Sequence, residues 1–321
     1  MNIKTVKKYQ YSDLDFLNGI NIYSGKFYTG FIDYIFNDES RDRKIKTAVW
    51  YPTMDTPCEI LYRDIFPGNV SIEAQIVNLQ FPVIIISHGS EGHRFNQYYL
   101  AEFMASKGYI VAAVEHPGDN ALDNYFSKSI ENIWNRPQDI SFVINSLFNT
   151  NLSNFIDESS IAFAGHSFGG CTGLLLAGAV PNYKKLQNYF SNIKYSSYDR
   201  LKEKTLKDPR IKCYFLMAPA LSTIFSKITL KKINTPIALI VSDKDEFLQI
   251  DNQYYMAQLY SLEKLINFKN AGHYVYLMNC PESIISLGGM ACIDIGITRE
   301  KIHPFIKWHM LQFLSEKFNY V

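Results

Sequence analysis

Ser160-Ile161-Ala162-Phe163-Ala164-Gly165-His166-Ser167-Phe168-Gly169-Gly170-Cys171-Thr172-Gly173 is the stretch on which the reading of this chain turns. An apolar run enters Gly-x-Ser-x-Gly, and a series of small residues suited to a helix leaves it. A serine nucleophile needs this order, because the serine must sit on a sharp strand-to-helix turn with its Oγ projecting over the sheet edge. Glycines two before and two after let the backbone approach closely there. The helix N-terminus sets a backbone N–H and a partial positive charge beside a developing oxyanion. Ser167 is therefore the expected nucleophile. A tight turn without chemistry is the bland alternative, disfavoured by the strand before it and the helix after it.

Outward from this turn, short continuous apolar runs alternate with longer mixed segments, the pattern of parallel strands covered by helices on both faces. Strands are expected at residues 82–87, 109–115, 160–165, 213–218, 237–242 and 265–269. Helices are expected at 96–107, 137–148, 171–180, 251–262 and 304–318. In the last of these, Phe305, Ile306, Met310, Phe313 and Leu314 share a face, and Pro304 suits a first turn. Upstream, the apolar runs at 31–36 and 45–51 are separated by polar residues and predict an antiparallel hairpin. The polar, Tyr-rich residues 1–25 read as an arm, and 26–321 as a single α/β domain with a mostly parallel sheet. The Lys- and Tyr-rich stretch 181–210 breaks the alternation as an insertion, either a cap or lid or a solvated connector.

Composition narrows the function classes. The 321 residues carry 32 Lys+Arg against 31 Asp+Glu, a net charge of +1, which argues against a nucleic-acid partner. No apolar run approaches the ~18–20 residues of a membrane helix. The basic N-terminus is followed by no apolar stretch of a signal peptide, so the expected localisation is cytoplasmic. Five cysteines form neither a disulfide framework nor zinc-knuckle spacing. Aromatic residues, at 15%, are abundant enough to serve a core, an interface or an apolar substrate site.

A serine hydroxyl needs a general base, and seven histidines are available. The α/β-hydrolase order of Ser, then acid, then His selects His273, which follows the last expected strand. The acid should follow the strand at 237–242, where Val241-Ser242-Asp243-Lys244-Asp245-Glu246-Phe247 offers three carboxylates. Asp245 is the choice, a few residues past the strand and just before an apolar residue; Asp243 is the alternative, with turn capping as its bland role. The second oxyanion donor should come from Ser87-His88-Gly89-Ser90, so the expected pair of amides is Ser90 and Phe168. His88, His93, His116 and Asp119 fit no metal-ligand spacing, so neither metal nor cofactor is expected.

Elbow, His-Gly loop, acid and late histidine together resemble an α/β-hydrolase. Finer motifs resemble the platelet-activating-factor acetylhydrolase (group VII phospholipase A2) branch and bacterial predicted dienelactone hydrolases. They are Val49-Trp50-Tyr51-Pro52, Ile86-Ser87-His88-Gly89, Ala113-Val114-Glu115-His116-Pro117-Gly118, Arg136-Pro137-Gln138-Asp139-Ile140, Gly165-His166-Ser167-Phe168-Gly169-Gly170 and Asp208-Pro209-Arg210-Ile211. The resemblance covers most of the chain from about Gly30 onward. Three departures stand out. In the eukaryotic acetylhydrolases the acid follows the strand next after the elbow, where this chain has Met217-Ala218-Pro219-Ala220. Dienelactone hydrolases use a cysteine nucleophile, whereas here Cys171 lies a turn beyond the serine and faces packing. Many bacterial relatives are exported and carry two late cysteines; Cys280 and Cys292 occupy similar positions, as a disulfide or as two buried thiols.

The resemblance implies a serine esterase or lipase-like acyl hydrolase acting on a small ester or lipid, phospholipid or short acyl esters included. Tyr98, Tyr99, Tyr125, Phe126 and Trp134 would suit an acyl chain, or else pack helices on the sheet. A peptidase or amidase on the same triad, and a ligand-binding protein without catalysis, are the alternatives. Peripheral lipid contact through 181–210 is a further expectation.

Overall fold

The computed structural model describes residues 6–12, 15, 22, 25–125, 129–187, 189–190, 206–248, 259 and 261–320. Among the described residues eleven strands form one sheet: β1 (Lys7–Tyr11), β2 (Tyr28–Asp38), β3 (Arg43–Thr53), β4 (Cys58–Tyr62), β5 (Phe66–Ile72), β6 (Phe81–Ser87), β7 (Ile110–Glu115), β8 (Ile156–His166), β9 (Ile211–Met217), β10 (Ile237–Ser242) and β11 (Leu262–Phe268). Their order across the sheet is β1-β11-β10-β9-β8-β6-β7-β3-β2-β5-β4. From β1 to β7 every neighbouring pair is parallel; β3 then runs antiparallel to both β7 and β2. The strands expected from 82–87 through 265–269 and the hairpin at 31–51 are all present within a few residues.

The parallel strands form because their side chains bury on both faces. In β6, Val83 and Ile85 enter one core while Ile84 and Ile86 enter the other. Among the described residues, four longer helices cover the faces: α1 (Tyr98–Ser106), α2 (Asn132–Leu147), α3 (Phe168–Leu176) and α4 (Arg299–Phe318). Ile133, Ile140 and Leu174 of α2 and α3 join the first core; Leu100, Met104, Ile302 and Phe313 of α1 and α4 join the second. Burying one such side chain contributes ~1.5–3 kcal/mol, so strand runs of this kind carry much of the fold.

Several expectations shift. Both α2 and α4 begin five residues before the proline expected in a first turn, leaving Pro137 and Pro304 inside the helices. Tertiary contacts override the proline signal: buried Ile133 and Arg136 anchor the start of α2, and Arg299 ties α4 to Asp294, the Met278 carbonyl and the Ala291 carbonyl. The helix after the elbow ends at Leu176, short of residue 180. Residues 7–11 of the arm form an edge strand, Lys7 and Lys264 sharing Glu316 of α4 as counter-ion at 3.3 and 3.2 Å. Strands β4 and β5 extend the far edge. Of the helix expected at 251–262, 251–258 and 260 lie outside the described residues, and Leu262 starts β11. Of the insertion at 181–210, 188 and 191–205 lie outside them, and with them the lid reading.

β7 lies on one side of β6 and β8 on the other, so the connections leave the β6 edge in opposite directions. A crevice at the carboxyl ends of the strands opens at such a switch point. Ser87 pairs with Gly165 there, which sets the loop after β6 beside the turn after β8.

Candidate active site

Ser167 is the single residue between β8 and α3, at φ +54° and ψ −117°. This conformation costs a residue with a side chain on the order of 1–3 kcal/mol, so the surroundings must hold it. Its N–H donates to the Met217 carbonyl at 3.0 Å, and its carbonyl accepts from Ala220 N–H at 2.9 Å and Cys171 N–H at 3.2 Å. The flanking glycines have a steric reason. A Cβ on Gly165 would stand 2.3 Å from the Gly169 carbonyl oxygen, and one on Gly169 2.0 Å from that of Ser87. The turn is thus packed backbone to backbone against the end of β6. A Cβ on Gly89 would stand 3.2 Å from Ser167 Cβ, which places the His88-Gly89-Ser90 loop against the serine. Neither the Ser90 nor the Phe168 amide finds an acceptor among the described residues.

The loop after β10 and the turn after β11 meet beside this elbow. His273 Nδ1–H donates to Asp245 Oδ2 at 2.7 Å, with the side chains 5% and 1% exposed. Asp245 Oδ1 accepts from the amides of Phe247 and Leu248 at 3.0 and 2.8 Å, which fixes the carboxylate. Asp243 is spent elsewhere, on Asn270 N–H at 2.6 Å and Lys269 Nζ at 3.5 Å, the turn-capping role anticipated for it. Between the two candidate acids, it is Asp245 that lies against His273. No hydrogen bond joins Ser167 Oγ to His273 among the described residues; His166, adjacent to Ser167, has its ring centroid 4.7 Å from that of His273.

Two supporting residues escaped the sequence reading. His166 Nε2–H donates to the His273 carbonyl at 3.1 Å, and Glu246 Oε2 accepts from His273 N–H at 2.8 Å. Together they hold the main chain of His273 at both its carbonyl and its N–H. His166 occupies an unrestricted position of Gly-x-Ser-x-Gly, so only the fold reveals its task. Burial holds His166 and His88 well below the ordinary histidine range, and pushes His93, His116, His303 and His309 down to about 3. These six are neutral packing and hydrogen-bonding groups. Cys171 is fully buried and its thiol is pushed up to about 12, so it is no nucleophile at neutral pH. Cys280 and Cys292 are joined as a disulfide.

The aromatic residues divide. Tyr98 packs against Tyr62 with ring centroids 5.1 Å apart, and Tyr99 stacks on His303 at 3.6 Å, so both belong to packing and not to a pocket wall. Tyr125 is exposed, and Phe126 lies outside the described residues. Phe247, which was not singled out from sequence as an aromatic contact, is 51% exposed with its ring 5.3 Å from that of His273.

Residues 68–142 match the family model described as platelet-activating factor acetylhydrolase, isoform II. A platelet-activating factor acetylhydrolase of Gallus gallus is 26% identical over 144 residues, a match covering 29% of this chain and 34% of that protein. The chain thus spans about a third of the length of the curated relative it matches. Among solved structures, a ferulic acid esterase from Streptomyces cinnamoneus superposes with a TM-score of 0.59 at 15% identity, covering 91% of this chain and 89% of that one. Thermogutta terrifontis esterase 2, phosphorylated by paraoxon, gives 0.54 at 11% identity, covering 89% and 94%. Pyrococcus horikoshii acylaminoacyl peptidase gives 0.55 at 16%, covering 89% and 42%. The fold is the α/β-hydrolase fold.

Proposed function

We propose that this chain is a serine carboxylic-ester hydrolase working through an acyl-enzyme. The observation that carries the reading is the left-handed conformation of Ser167, held at the β8–α3 turn against the His88-Gly89 loop and beside the His273–Asp245 pair. Strain of this kind in a residue with a side chain is kept where a reactive group must project. Ser167 Oγ attacks the ester carbonyl carbon, and His273 Nε2 takes the hydroxyl proton. Asp245, bonded to Nδ1–H, fixes the tautomer that leaves Nε2 free to accept it and steadies the imidazolium that forms. The negative charge on the former carbonyl oxygen falls to the N–H groups of Ser90 and Phe168, the latter in the first turn of α3, whose dipole adds to the attraction. His273 returns the proton to the departing alcohol, and water repeats the sequence on the acyl-enzyme.

Phe247 beside the base favours a substrate with an apolar part, and the similarity to a platelet-activating factor acetylhydrolase supports ester over amide. The test is turnover of short p-nitrophenyl esters with fluorophosphonate labelling. Labelling is expected at Ser167 and nowhere else; folded protein that hydrolyses no ester and takes no label overturns the proposal.

A further inference from the structure

Behind the loop and the elbow lies a charged side chain that the triad does not use. Arg136, in α2, is fully buried. Its Nη1 donates to Asp119 Oδ2 at 2.7 Å, and its Nη2 to Ser87 Oγ at 3.1 Å and to the His88 carbonyl. Its guanidinium carbon lies 4.9 Å from the centroid of the Phe168 ring. The other oxygen of Asp119 accepts from Ser90 Oγ and from Glu91 N–H, each at 3.0 Å.

We infer that Arg136 is the positioning residue of the oxyanion site, acting through Asp119 on Ser90 and through its place over the ring on Phe168; the inference rests on the esterase reading. Both proposed donor residues are tied to this one cation, Ser90 by way of Asp119 and Phe168 by its ring. Its effect on the loop is selective. In the turn Gly89-Ser90-Glu91-Gly92, the Glu91 amide is taken by Asp119 and the Gly92 amide by the Gly89 carbonyl at 3.2 Å. Of the Ser90, Glu91 and Gly92 amides, that of Ser90 is left without a protein acceptor among the described residues, which is the state a preorganised oxyanion donor requires.

The site calls for arginine and not for cation charge alone. A planar guanidinium can bridge Asp119, the Ser87 hydroxyl and the His88 carbonyl while presenting its face to an aromatic ring; a lysine ammonium on a flexible stem cannot do both. The arrangement gives up one donor, since Arg136 Nε is buried without an acceptor among the described residues. Charge balance is local: Asp119 and Asp139 offset Arg136, and Asp139 also meets Arg41, Arg43 and His116.

The test compares wild type, R136M, R136K and D119N for p-nitrophenyl ester turnover and for inhibition by an alkylboronic acid, whose tetrahedral adduct on Ser167 places an oxygen in the oxyanion site. R136M is expected to lose kcat by about 10²-fold, the loss typical of a missing oxyanion donor. Its KM should stay within about threefold, because the loss falls in the transition state. Boronate inhibition should weaken in step with kcat, and R136K should not restore either. D119N keeps the acceptor for Ser90 and Glu91 but loses the ion pair; it should lose kcat about tenfold at unchanged KM, a part of what one donor contributes. Folded R136M with wild-type kcat and boronate affinity, but a lower urea midpoint, would make Arg136 a structural support and overturn the inference. If R136M does not fold, D119N decides: unchanged kcat and boronate affinity overturn it equally. S167A run alongside separates the two claims, since full turnover by S167A refutes the esterase reading whatever Arg136 does.

Discussion

Ser87, His116 and Asp139 form a complete chain of hydrogen bonds, Ser87 Oγ to His116 Nε2 at 2.9 Å and His116 Nδ1 to Asp139 Oδ2 at 3.0 Å. At Ser167, His273 and Asp245 only the acid–base link is in place, at 2.7 Å. By connectivity the first set is the better serine–histidine–aspartate triad, yet everything else about it forbids catalysis. All three residues are fully buried. Ser87 ends an ordinary strand, and its hydroxyl also accepts from Arg136. Burial and the nearby guanidinium push His116 down to about 3, so it cannot become an imidazolium in neutral solution. Asp139 serves Arg41 and Arg43 as well and is held down at about 2 by its hydrogen bonds to His116 and Arg43, against the opposing pull of burial. The second set has a serine in a strained turn, an aspartate held by loop amides, and no second cation on its carboxylate among the described residues. A triad is a matter of where the proton can go, and distances alone do not decide that.

Replacing the two serines tests this contrast most sharply. Ser167→Ala should cut kcat by at least about 10⁴-fold, whereas Ser87→Ala should cost less than about tenfold and show instead as lost stability of ~1–3 kcal/mol, from a buried histidine and arginine losing a partner. Reversed outcomes would exchange the roles assigned to the two sets. The aspartates should split in the same way. Asp245→Asn should lower kcat by about 10³–10⁴-fold through the wrong imidazole tautomer. Asp139→Asn should leave fluorophosphonate labelling of the folded fraction intact but lower stability by about 3–5 kcal/mol, since a buried carboxylate leaves two arginines and a histidine behind. Urea denaturation read by circular dichroism, paired with active-site titration, separates the two effects.

Acid should weaken the fold through its buried histidines. Their folded values lie below the unfolded value of about 6.5, so the unfolded chain takes up protons first. Stability therefore declines as pH falls from about 6.5 toward 3, by up to ~1.4 kcal/mol per pH unit for each such group. Asp139 adds to the decline lower still, because its stabilisation is present above about 4 and is lost as pH falls toward 2. A urea midpoint that stayed level between pH 7 and pH 5 would contradict the neutral, buried state of His88, His116 and their counterparts. The smallest effect belongs to Phe247→Ala, which should raise KM a few-fold for longer acyl esters while leaving acetate esters nearly unchanged, since one lost apolar contact contributes ~1–3 kcal/mol at most.

The elbow and the late histidine were legible in sequence because their signals are local or ordinal: glycines flank Ser167, and His273 follows the last strand. The choice of Asp245 over Asp243 rested on a two-residue offset that either could have filled, and the fold distinguishes them by where Asn270 and Lys269 come to lie. Arg136 and Asp119 were invisible as a pair because their meeting depends on the path of the chain between β7 and α2, not on spacing. The outermost strands β1 and β4 were missed for a different reason. Edge strands such as Lys7-Lys8-Tyr9-Gln10-Tyr11 bury little, so they lack the apolar run that marks a central strand.

That edge strand carries a consequence for biosynthesis. Lys7–Tyr11 pairs in parallel with Leu262–Phe268, the strand that leads into the turn of His273. A ribosome makes the first of these long before the second, so the pairing can close only late in translation. In the interval the sheet has neither its outer border nor the segment that carries His273. The nascent polypeptide is still without His273 through that interval, and slow closure is the natural result of so distant a contact.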